Sequence, residues 1–85
     1  MKMLAGELEE AERDIDKAIE MNPRKEVLFI RKGDIVARRR GLEEAIDYYR
    51  KAVDINPLNH EAHERLENVY SILYKGKGVQ DEIFR

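Results

Sequence analysis

The chain has 85 residues, 40 % of them charged and 42 % hydrophobic, enough for one small domain that buries roughly 60 to 65 % of its unfolded surface. Hydrophobic residues spread along the whole chain argue for a folded, polar-surfaced protein rather than a disordered one. The absence of cysteine excludes a disulfide framework, a thiolate metal site and a thiol nucleophile.

No stretch nears the roughly 18 uncharged apolar residues of a membrane span, and the opening MKMLAGELEEAE turns acidic too soon for a signal peptide. A soluble, unprocessed, cytoplasmic chain is the expectation. The net charge of −2 conceals a pattern. Residues 1–23 carry seven acidic and three basic side chains, whereas residues 24–40 carry seven basic and two acidic.

Taken in order, the first helix is expected over about residues 4–21, where Leu8, Ala11, Ile15, Ala18 and Ile19 keep the three-and-four spacing of an apolar stripe. Asn22-Pro23 stops it, because proline cannot continue the ladder and disfavours the α region at the residue before it. A second helix over 25–39 carries Leu28, Phe29, Ile35 and Val36, and Gly41 closes it. The third, 42–55, places Leu42, Ala45, Ile46, Tyr49, Ala52 and Val53 on one stripe and stops at Asn56-Pro57. Glu43 and Glu44 suit its positive N-terminus. A fourth covers 59–75 with Ala62, Leu66, Val69, Tyr70 and Leu73, KGKG makes a turn, and VQDEIFR (79–85) begins a fifth.

The first and third helices are copies at an offset of 34 residues: Leu8/Leu42, Glu9/Glu43, Glu10/Glu44, Ala11/Ala45, Lys17/Lys51, Ala18/Ala52, Asn22/Asn56 and Pro23/Pro57 are identical. A 34-residue helix-turn-helix unit with small residues at fixed places and a closing proline resembles the tetratricopeptide repeat. The family's two small residues fall on Ala11 and Ala18, then Ala45 and Ala52, its bulky residue on Ile15 and Tyr49, and its proline on Pro23 and Pro57. In the other helix its aromatic, leucine, small and tyrosine positions fall on Phe29, Lys32, Gly33 and Val36, then His63, Leu66, Glu67 and Tyr70. Lys32 stands where leucine is expected and Glu67 where a small residue is.

The resemblance implies an all-α fold, an α-α superhelix built as a right-handed solenoid of antiparallel helix pairs, with about two and a half repeats in a single domain over residues 1–85. It also implies a non-enzymatic protein-protein interaction module. Its concave groove, lined by the first helix of each unit, would grip a peptide or helix of a protein partner through Val27, Ile30, Asp34, Ala37 and Arg38, and through Glu61, Glu64, Asn68, Ser71 and Ile72. One subclass of the family clamps the C-terminal carboxylate of chaperones with lysine and asparagine. The corresponding residues here are Ile30, Asp34, Glu64 and Asn68, of which only Asn68 matches, so no such clamp is expected. With about two and a half units and no polar cap, the chain reads as a piece of a longer array or as a homodimer that covers its bare ends.

Other chemistries are weaker readings. His60, His63 and Glu64 share a helical face, but HEAH is not the HExxH metal motif and no third ligand set accompanies it. KGKG fits no phosphate-binding spacing. The pairs Glu9/Glu10 and Glu43/Glu44 recur as helix starts, which explains them without catalysis. Neither cofactor nor metal is expected. Arg24, Lys25, Arg31, Lys32 and Arg38 to Arg40 could attract nucleic acid, but the flanking segments are acidic. Pairing with the acidic helices explains the same charges.

Overall fold

The computed structural model describes residues 5–75 and consists there of four helices: α1 (Ala5–Met21), α2 (Glu26–Arg39), α3 (Leu42–Ile55) and α4 (His60–Lys75). The expected KGKG turn and the beginning of a helix over 79–85 lie outside the described residues.

Each helix boundary has a local cause. α1 and α3 end just before Asn22-Pro23 and Asn56-Pro57, and Asn56 is extended (φ −140°, ψ 91°), as the following proline requires. The N–H groups of Asn22 and Asn56 still reach the carbonyls of Ala18 and Ala52, at 2.9 and 3.0 Å. α2 gives way to α3 at Gly41, whose φ of +117° lies where side chains are strained. Asn59 starts α4 as an N-cap: its Oδ1 accepts from the Ala62 N–H at 3.1 Å. The same asparagine, with Asn56, donates its side-chain amide to Glu26 Oε2 (3.0 and 2.9 Å), tying the corner between α3 and α4 to the start of α2. The amides of Asn56 and then Asn59 hold the Glu26 carboxyl below its usual range.

α2 is the central element, packed between α1 and α3, while α4 packs on α3 and touches α2 along an edge. The core consists of Phe29, Ile30 and Val36 from α2, Ala45, Tyr49 and Ala52 from α3, and Ala62 and Val69 from α4. The alanines explain the close approach: Ala45, Ala52 and Ala62 are fully enclosed, so neighbouring helices meet almost backbone to side chain. Gly33 carries this furthest, since a Cβ there would lie under 3.0 Å from three carbons of the Tyr49 ring.

α1 joins the assembly differently. From this helix Leu8 is buried at 8 % exposure and Ile19 packs against the core cluster. The attachment of α1 is also ionic: the buried carboxylate of Glu12, 7 % exposed, receives Lys32 Nζ and Arg40 Nη2, each at 2.8 Å, together with Arg39. Lys32, itself 7 % exposed, also meets Asp16 at 2.5 Å. Lysine at the leucine position is thus a buried polar joint rather than a gap. Lys32 above all holds the Glu12 carboxyl down to about 2, with Arg40 and Arg39 adding to this against the opposing effect of burial. Burial works against the Lys32 ammonium, but Asp16 and Glu12 outweigh it and leave its pKa raised. No buried side-chain nitrogen or oxygen among the described residues lacks a hydrogen-bond partner.

Candidate functional site

The ten expected groove residues lie on α2 and α4, and the structure divides them. On α4, Glu61, Glu64, Asn68, Ser71 and Ile72 are all exposed, and Ile72, at 61 %, is an apolar side chain open to solvent. On α2, Arg38 is exposed while Val27 and Ala37 are half-buried. Ile30 is corrected: it is 1 % exposed and part of the core, because the close approach of α2 to α3 encloses this stripe of α2.

Asp34 has a structural task that its position on the chain did not reveal. It accepts a hydrogen bond from the Tyr49 hydroxyl of α3 and is gripped by Arg65 of α4, Nε to Oδ1 at 2.9 Å and Nη2 to Oδ2 at 3.2 Å. Two parallel guanidinium bonds to one carboxylate give direction as well as attraction. Burial, and then the Asp34 carboxylate beside it, push the Tyr49 phenol up, so it remains a donor. Three helices meet at this joint, and Arg65 extends it to Glu61 at 3.1 Å. On the α4 face, Glu64, Asn68, Ser71 and Ile72 remain as side chains without such a role.

Three of the seven basic side chains of the stretch are ion-paired among the described residues. Lys32, Arg39 and Arg40 are engaged by Glu12, with Asp16, Glu9 and Glu44 as further partners. This is the pairing with acidic helices that the alternation of charge suggested. His63, at the family's aromatic packing position, is exposed instead, its Nε2 2.7 Å from the Pro57 carbonyl oxygen. Tyr70, also expected to pack, is 37 % exposed and stacks on Tyr74 with ring centroids 5.8 Å apart. Among the described residues no group of three or more His, Cys, Asp or Glu side chains is arranged to hold a metal ion. None of the described helices is long and apolar enough to cross a membrane.

What sequence reasoning missed are the two polar joints, Asp34 with Tyr49 and Arg65, and Glu12 with Lys32. The first left no signal, since an aspartate four residues from a core apolar position, Ile30, is ordinary on a helix. The second left one, the acidic block followed by a basic block, which foretold pairing but not burial.

The family model of the tetratricopeptide repeat matches residues 37–57, which span the end of α2, the Gly41 turn, α3 and its closing Asn56-Pro57. No curated protein and no solved structure matches the chain.

Proposed function

We infer, from a chain that matches the tetratricopeptide repeat over residues 37–57 and is therefore a protein of that family or a fragment of one, that it acts by binding another protein. The surface that takes the partner is the exposed side of α4 together with the adjoining part of α2. Ile72 supplies an apolar anchor, Glu64 and Arg38 supply charge of both signs, and Asn68 and Ser71 supply hydrogen bonds. A few buried apolar contacts within a polar surround are what an extended or helical peptide needs for specific capture. The observation that carries this reading is the repeat match, joined to the exposure of Ile72 on α4. The module is read as non-enzymatic.

A peptide selected against the folded protein from a displayed library tests the surface. The double variant Glu64→Lys, Ile72→Ser is expected to weaken binding at least about tenfold, the size of effect seen on losing one well-placed anchor. Its circular dichroism and melting temperature should stay unchanged, since neither side chain supports the core. Undiminished affinity in the folded variant would remove these residues from the site. Asp34 is unsuitable for such a test, because altering it dismantles the joint with Tyr49 and Arg65.

A further inference from the structure

α1 and α2 enclose a cleft of about 390 Å³, floored by Ala11, Ile15 and Ile35 and rimmed by Asp14, Arg31 and Asp34. Shifted by 34 residues, five of these become Ala45, Tyr48, Tyr49, Arg65 and Val69, which place the corresponding cleft between α3 and α4, where α2 packs. That second cleft is filled. Ala45, Tyr49 and Val69 are 0, 2 and 4 % exposed, because α2 lies in it, whereas Ala11, Ile15 and Ile35 are only half-buried.

The filled cleft shows which chemistry the open one would take. Within α2, Gly33 presses its backbone on Tyr49, Asp34 pairs with Arg65, and Lys32 places its ammonium 5.4 Å from the Tyr48 ring centroid. In the open cleft Arg31 occupies the place of Arg65 and is exposed, with no ionic partner among the described residues. Asp14 occupies the place of Tyr48 and Ile15 that of Tyr49. A helix seated there with Lys-small-Asp in the register of Lys32-Gly33-Asp34 would bring its carboxylate to Arg31 and its ammonium to Asp14. The smaller Ile15 also leaves room for a side chain where Tyr49 tolerates only glycine.

We propose that the cleft between α1 and α2 is a second docking site, which takes an amphipathic helix of a partner polypeptide bearing Lys-small-Asp. The charges of the cleft select this occupant over a second copy of the chain. In the same register the exposed α4 would offer Leu66 to Asp14, Asn68 to Arg31 and Glu67 to the apolar floor, matching none of the three. This site is separate from the Glu64 and Ile72 surface and does not depend on it.

The probe is a helix-stapled peptide of sequence EVLFIRKGDIVARR, titrated into the full chain by fluorescence anisotropy. Saturable binding is expected, weakened about tenfold by Arg31→Glu through like-charge repulsion. A peptide with its Asp replaced by Lys should recover affinity for the Arg31→Glu protein and lose it for the original one. Ala11→Phe, which fills the cleft from its floor, should also block binding. Circular dichroism reports whether each variant is folded, and Arg31, being exposed, keeps the charge-swap comparison valid even if Ala11→Phe unfolds. No binding, or binding indifferent to Arg31, would overturn the proposal. So would a concentration-dependent dimer in sedimentation that Arg31→Glu abolishes, since the seat would then belong to a second copy.

Discussion

Gly33 and Ala52 set the distance between helices, and each can be tested by adding carbon. A Cβ at Gly33 meets the Tyr49 ring, which is 2 % exposed and tied to Asp34 by its hydroxyl, so the ring cannot swing away freely. Gly33→Ala is expected to lower stability by about 1 to 3 kcal/mol, the usual cost of overpacking, and Ala52→Leu by a similar amount. Denaturant titration measures both, and an unchanged midpoint for either would mean the helices are not in this register. Ala52 was legible in the sequence because Ala18 repeats it with the period, whereas Gly33, whose counterpart is Glu67, was legible only through the family's pattern. Ile30 was not: it sits beside the exposed Arg31, and only the depth of the α2–α3 contact decides that it is enclosed.

At the scale of the element, α1 stands apart. α2, α3 and α4 share an apolar core, whereas α1 adds to the apolar contacts of Leu8 and Ile19 a buried ion cluster of Glu12 and Asp16 on Lys32, Arg39 and Arg40. A buried ion cluster of this kind fixes geometry, but is weak evidence for net stability because desolvation opposes the attraction. Its pH dependence follows from Glu12, whose pKa falls from 4.5 to about 2 on folding. A depressed carboxylate contributes stability above its unfolded pKa and loses it as pH falls through the folded one. The stabilisation is therefore present above about pH 4.5 and fades towards pH 2, with a size on the order of 2 to 3 kcal/mol. Between pH 5 and pH 2 the parent protein should lose that much more stability than Glu12→Gln, as read from urea midpoints. Equal losses would show that the carboxylate does not carry the attachment. The boundaries of the four helices were largely visible beforehand in Asn-Pro, Gly41 and the apolar stripes, since those signals act locally. The burial of Lys32 was not visible, because it depends on two carboxylates of another helix, Asp16 and Glu12.

At the scale of the molecule, one repeat unit is complete, α2 with α3, and the repeat relation extends from it to α1 and to α4. The all-α helical-repeat architecture could be read from the offset of 34, which couples two alanines, a bulky residue and a proline at once. The candidate site was less legible. Scaffold positions repeat, so their roles can be transferred from one unit to the next, whereas face residues such as Glu64, Asn68 and Ile72 have no counterpart that fixes them. Their exposure had to come from the structure.

The central claim is that a protein partner meets the α4 face. Photocrosslinking in native lysate addresses it most directly, with a photoreactive amino acid placed at Asn68 in one variant and at Arg50, exposed on α3, in another. The account predicts one dominant protein adduct from position 68 that position 50 does not give, and that Ile72→Ser diminishes. Adducts equal at both positions, or none from position 68, would contradict it.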